Sequence, residues 1–170
     1  MKIINLRSIN ESDTKRIYEL CQDPKISKNT GGNIPFPYKM TDAEFFIHKV
    51  RLSIEEKKAA HFAICEPESD LLIGVISIDY IDWKHRKGTI GYWMGKDYRN
   101  KGYMTEALKQ VIHFGLYEKD LNRVQAIHFN YNPSSGIVMQ KAGMIKEAVM
   151  KNYYIINDKP VDVALYAATK

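Results

Sequence analysis

The sequence predicts an α/β domain with a mixed, largely antiparallel central sheet flanked by about four helices, and three observations carry that reading. Across residues 60–95, apolar residues alternate or run continuously in three short segments, HFAICE, LLIGVISIDYI and GTIGYWMG, joined by short polar connections. That is the pattern of an antiparallel meander. On both sides of it the apolar period changes to that of helices. The order becomes strand, two helices, three strands, helix, strand, helix and two strands, which is an α/β arrangement. With 170 residues, 45% of them hydrophobic, residues 1–170 suffice for one substantial core and are too few for two ordinary domains.

The elements follow in order. KIINLRSI reads as a short strand, and Asn10 or Ser12 caps a helix carrying Ile17, Leu20 and Cys21 on one side. Residues 30–39, TGGNIPFPYK, hold two glycines and two prolines that forbid regular structure, which makes this stretch a candidate functional loop. Thr41 and Glu44 have the spacing of a capping box, and Ala43, Phe46, Ile47, Val50 and Ile54 recur at helical period. After the meander, Met104, Ala107, Leu108, Val111, Ile112 and Gly115 fall at i, i+3, i+4, i+7, i+8 and i+11, an amphipathic helix packed on a sheet. RVQAIHF is a strand. Asn132 then stands at a helix cap, with Pro133 at the first helical position and Gly143 just beyond the end. MIKEAVMK with YYII, and VDVALYAA after the turn NDKP, supply the last two strands.

Bulk properties exclude several classes. Residues 1–15 have no apolar run of the kind an export signal needs, and nowhere do about 18 consecutive apolar residues appear, so a cytoplasmic protein without a membrane span is expected. Cys21 and Cys65 have no metal-ligand spacing and read as free thiols. The net charge of +5 is spread along the chain, which does not mark a nucleic-acid binder. It does suit a polyanionic ligand.

The chemistry-bearing segment is GYWMGKDYRNKGYMTEAL, in which a strand leads through Arg99, Asn100, Lys101 and Gly102 straight into a helix. A helix start leaves backbone N–H groups unpaired at the positive end of the dipole, and glycine there lets an anion approach the main chain. The loop has neither GxxxxGK[ST] nor GxGxxG spacing, so nucleotide-triphosphate and dinucleotide readings lack their requirement. A second strand-to-helix junction, with Asn132, Pro133, Ser134 and Ser135, again exposes amides and hydroxyls at a strand's end.

Together these segments resemble the GNAT superfamily of acetyltransferases, and within it the ribosomal-protein N-terminal acetyltransferase subgroup, over nearly the whole chain. Arg99-x-x-Gly102-x-Met104-Thr105-Glu106-Ala107 is similar to the family's pyrophosphate loop. Asn132-x-x-Ser135, leading to Gln140-Lys141-Ala142-Gly143-Met144, is similar to its second signature, and Leu121-Asn122-Arg123-Val124 stands at the family's spacing between them. The IPFPY loop and the ending YYIINDKPVDVALYA are similar to the subgroup's acceptor-side loop and terminal strands.

The resemblance implies acetyl-CoA as donor, no metal, and transfer of acetyl to a primary amine, either a peptide N-terminus or a small molecule. The backbone amides of Asn100, Lys101, Gly102, Tyr103, Met104 and Thr105, with Arg99, would hold the pyrophosphate. Trp93 and Met94 would pair with pantetheine through the main chain, Asn132 would bond the pantetheine arm, and Ser135 would protonate the departing thiolate. Met104 stands where the family has Gly or Ala, but it also belongs to the apolar helix stripe and can point into the core.

Amide formation from a thioester needs a neutral amine, donors for the developing oxyanion and a proton for the leaving group. A main-chain N–H near Met94 can face the oxyanion. Some relatives place a glutamate on the central strand as base; the aligned position here is Thr89, which cannot act as one. His128 is a candidate substitute, and His85, Asp79 and Asp82 are unranked, so the base is unassigned. Because an α-amino group has a pKa of ~8 against ~10.4 for lysine, the missing base favours a protein or peptide N-terminus. Phe36, Tyr38, Trp83, Tyr153 and Tyr154 are candidates for an aromatic acceptor pocket. Alternatives are a polyamine or antibiotic acceptor, for which no dense acidic cluster is seen, and a catalytically silent acyl-CoA-binding module. Strand edges near the C-terminus are available for homodimer pairing.

Overall fold

The computed structural model describes residues 4–170, and Lys2 and Ile3 of the first predicted strand lie outside them. Seven strands form one sheet in the order β1-β2-β3-β4-β5-β7-β6. They are β1 (Asn5–Ser8), β2 (Ala60–Cys65), β3 (Leu72–Asp82), β4 (Lys87–Met94), β5 (Arg123–Phe129), β6 (Ile145–Ile156) and β7 (Lys159–Thr169). All neighbours are antiparallel except β4 and β5. The β2-β3-β4 meander is the one the alternation predicts. The β6-β7 turn is made by Asn157 and Asp158, both left-handed at φ 51° and 59°, which matches the twist of a tight hairpin.

The helices are α1 (Thr14–Leu20), α2 (Pro24–Asn29), α3 (Met40–Glu55), α4 (Tyr103–His113) and α5 (Pro133–Lys141). Two details depart from the sequence reading. The first predicted helix is two, because Pro24 cannot extend the α1 ladder but suits the first position of a new helix, where Asp23 caps the Lys25 amide at 3.0 Å. At α3 the cap is not the Thr41 and Glu44 pair: the helix begins at Met40, and Asp42 reaches back to the Lys39 amide at 2.7 Å. An aspartate at that distance satisfies the free donor one turn earlier.

Each face of the sheet carries its own core. On one face, Met104, Ala107, Leu108 and Val111 of α4 and Met139 of α5 pack on Ile76, Ile78, Ile90, Met94, Val124 and Ala126. On the other, Ile17, Ile26, Ala43 and Val50 of α1, α2 and α3, with Cys21 just after α1, pack on Ala63, Cys65 and Val75. The second layer is braced by Arg7, whose guanidinium makes two 2.8 Å bonds to buried Asp13 ahead of α1. β4 therefore has the α4 and α5 layer on one side and the α1 to α3 layer on the other.

Candidate active site

β4 and β5 run side by side for three residue pairs, ending at Thr89 and Gln125, and then part. Beyond that point residues 90–94 and 126–129 form the walls of a wedge. α4 starts above one wall and α5 above the other. Main-chain polar groups alternate along a strand. The Gly95 amide donates to Ile73 of β3 at 2.9 Å, so Trp93 also presents its polar atoms to β3, whereas those of Tyr92 and Met94 face the wedge. Of the two residues expected to offer main-chain pairing, Met94 has that orientation, with Tyr92 as its companion. Trp93 is committed to the sheet, and its side chain packs against the α1 to α3 layer.

The α4 start has the geometry of an anion cradle. Asn100 and Gly102 are left-handed, at φ 61° and 84°, a turn that glycine adopts without strain, and a side chain at Gly102 would meet nothing within 4 Å. The first ladder bond of α4 joins the Glu106 amide to the Gly102 carbonyl, so the Met104 and Thr105 amides precede it. Met104 is buried in the core and leaves the cradle open. These features fit a pyrophosphate. Lys101 lies over the Tyr98 ring, its Nζ 5.7 Å from the centroid. Arg99 is also engaged within the protein. Its Nε donates to the Met94 carbonyl at 3.0 Å and its Nη1 pairs with Asp23 at 2.8 Å, tying the loop to the α2 cap.

At the α5 start, Asn132 occupies the cap position but bonds no helix amide with its side chain. Its Oδ1 accepts from Ser134 at 2.8 Å, which leaves its Nδ2 without a partner among the described residues. Ser135 Oγ stands 2.7 Å from the Tyr92 hydroxyl, which also donates to the Ser135 carbonyl at 3.2 Å. Burial raises the Tyr92 phenol pKa, against the lowering effect of the Ser135 bond, so both hydroxyls hold their protons at neutral pH.

The opposite face of β4 carries different groups. His128 is not among them: it lies on the α5 side against Gly136 and Tyr166, with Nδ1 2.9 Å from the Phe129 carbonyl. Asp82 and His85 belong to the β3-β4 turn at the far end of β4, where the Asp82 carboxylate accepts the His85 amide. Asp79 does face the acceptor side. It sits at the β3 bulge, receives a hydrogen bond from Ser77, and projects Oδ2 over Gly91, where any side chain would collide with it. Its surface is accessible, yet desolvation raises its pKa, opposed by the Ser77 bond and the Lys49 charge. Beside it on β2, His61 has its pKa lowered to about 4 by burial and by Lys49.

A family model described as an acetyltransferase (GNAT) domain matches residues 4–145. The chain belongs to the GNAT acetyltransferase domain family. Among curated relatives, this GNAT chain is 26% identical to the N-acetyltransferase YoaA of Bacillus subtilis over 97% of its own length and 92% of the relative's. It is 28% identical to the ribosomal-protein-serine acetyltransferase of Escherichia coli, over 96% and 91%. In fold it is similar to RimL, a ribosomal L7/L12 alpha-N-protein acetyltransferase solved with coenzyme A, with a TM-score of 0.86 at 20% identity, covering 98% and 93% of the two chains. The GNAT chain is an acetyl-CoA-dependent N-acetyltransferase. Among its described residues no helix is long and apolar enough to cross a membrane, and no group of three or more His, Cys, Asp or Glu is placed to hold a metal ion.

The aromatic candidates of the GNAT chain separate. Tyr38 is a core residue, and Trp83 donates to the Lys57 carbonyl at 2.7 Å, at the far end of the sheet. Tyr154 does belong to an exposed aromatic cluster, with Tyr153, Phe129 and Tyr131, and Phe129 lies against Gly31 of the 30–39 loop. Sequence reasoning did not find Phe129, Tyr131 or Tyr92, since nothing in their residue type distinguishes them. Knowing which face of its strand each occupies was required.

Proposed function

We propose that the chain acetylates the α-amino group at a protein or peptide N-terminus. The observation that supports this most strongly is its similarity, over nearly the full length of both chains, to the ribosomal-protein-serine acetyltransferase of Escherichia coli. The chemistry agrees, because an α-amine with a pKa of ~8 has an appreciable neutral fraction at pH 7 while a lysine at ~10.4 has almost none.

Acetyl-CoA, when bound, supplies the activated acyl group. The cradle amides of Met104 and Thr105, with Lys101 and the rest of the 100–105 turn, bind its pyrophosphate. The Met94 and Tyr92 main chain and Asn132 Nδ2 orient the pantetheine arm along the wedge. Ser135 Oγ holds the proton that the departing sulfur needs, and the Tyr92 hydroxyl fixes that serine and can restore its proton. Arg99 acts on the main chain, holding the β4 exit and the cradle in register with α2.

The test is thiol release from acetyl-CoA with three acceptors: a peptide with a free N-terminus and no lysine, a peptide with a blocked N-terminus and one lysine, and spermidine. Turnover of the first well above the other two is expected. Preference for the blocked lysine peptide or for spermidine would overturn the assignment.

A further inference from the structure

Resting on that reading of the wedge, we propose that Asp79 is the general base of the reaction, accepting a proton from the attacking amine at Oδ2. Four features of the structure converge on it. β4 and β5 part after Thr89 and Gln125, and the Asp79 carboxylate lies over Gly91, two residues past that point, at the apex of the wedge. It is on the α1 to α3 face, whereas Tyr92 and Ser135 meet on the α5 face, so consecutive residues of β4 separate the two groups. An acyl carbon held at the apex would have its leaving group toward Ser135 and its other side open toward Asp79. That is the arrangement that addition of an amine and departure of a thiol require.

The third feature is the fit of Gly91, whose missing side chain is the space that Oδ2 occupies. The fourth is Ser77, whose hydroxyl donates to Oδ1 and leaves Oδ2 without a hydrogen-bond partner among the described residues. The charged and titratable groups around this site are Lys49 from α3 and His61 from β2, with Thr89 of β4 and Gln125 of β5 completing the apex. Burial lowers the His61 pKa to about 4, which makes its imidazole a weak base, whereas the raised pKa of Asp79 improves its match to an amine.

The step balances. The neutral amine nitrogen forms the C–N bond as the C–S bond breaks, the C–S electron pair leaves on sulfur, and sulfur takes the Ser135 proton. The nitrogen loses one proton to Asp79 Oδ2, which passes it to solvent. Thr89, on the central strand, has no part in it.

The experiment measures kcat/KM for the free-N-terminus peptide against pH, at saturating acetyl-CoA, in wild type, Asp79→Asn and Gly91→Ala. In wild type the rate needs both a neutral amine and an ionised Asp79, so the logarithmic plot should steepen from slope one to slope two at its acidic end. Asp79→Asn should lower kcat/KM about 100-fold near pH 7 and abolish the steeper limb, with acetyl-CoA affinity unchanged by calorimetry. Gly91→Ala should displace the carboxylate and lose activity in the wild-type background, but cost nothing further in Asp79→Asn. An Asp79→Asn enzyme that keeps its activity, or that loses it with the steep limb intact, would overturn the proposal. Failure of the wild type to bind acetyl-CoA would instead overturn the reading of the wedge on which it rests.

Discussion

The two sides of β4 are built by different means. The donor side is made from local backbone geometry: a left-handed turn at Asn100 and Gly102, two helix starts, and the main chain of Met94. The acceptor side is made from side chains gathered from distant segments, with Ser77 and Asp79 on β3, His61 on β2, Lys49 on α3 and Phe129 at the end of β5. Anion recognition by amides needs only a turn and a helix start, so it compresses into a short motif. Proton transfer to a particular nitrogen needs a side chain at a particular point, which any element crossing that point can provide.

Arg99 joins the two sides, and its loss should show the largest effect on the molecule as a whole. Arg99→Ala leaves Asp23 without its ion pair, and a drop of about 2–3 kcal/mol in unfolding free energy is expected from urea titration. If Arg99 instead served only a ligand, stability would be unchanged and acetyl-CoA affinity alone would fall. Ser135→Ala acts on the donor side only. It should lower kcat by roughly 10- to 100-fold with little change in the KM for either substrate, since the hydroxyl is required as the leaving group departs. Tyr92→Phe keeps the ring and removes one hydroxyl bond, so a smaller loss of about 3- to 10-fold in kcat is expected in the same assay. A larger loss in Tyr92→Phe than in Ser135→Ala would mean that the phenol, not the serine, delivers the proton. The smallest effect concerns stability at Asp79. Its folded pKa is raised, so its ionised form opposes folding above that pKa and the penalty vanishes as pH falls below the unfolded value; Asp79→Asn should therefore melt slightly higher than wild type at pH 8 and not at pH 3.

The same division explains what the sequence reveals. The meander and α4 follow from apolar period, the α5 start follows from Pro133 at its first position, and Met104 goes to the core as its place in the helix stripe implies. Pro24 starts a helix of its own, and the short α2 it opens has too little apolar period to stand out in sequence, with Ile26 as its one buried residue. Arg99 looked like a phosphate ligand because its partner, Asp23, is 76 positions away in the chain and visible only once α2 packs beside the β4 exit. Asp79 could not be ranked above Asp82 or His85 for a related reason. A bulge in β3 and the missing side chain at Gly91 decide which face it occupies, and neither is encoded in the aspartate itself.

The central claim is that the wedge with its glycine cradle receives acetyl-CoA, and calorimetric titration tests it most directly. The comparison is between wild type, Gly102→Glu and Gly143→Glu, the last carrying the same substitution at another open left-handed glycine, φ 95°, at the far end of α5. Wild type and Gly143→Glu should bind alike, while Gly102→Glu, with an anion set where the pyrophosphate lies, should bind at least about 100-fold more weakly, roughly 2.7 kcal/mol. Equal binding by all three proteins would contradict the account.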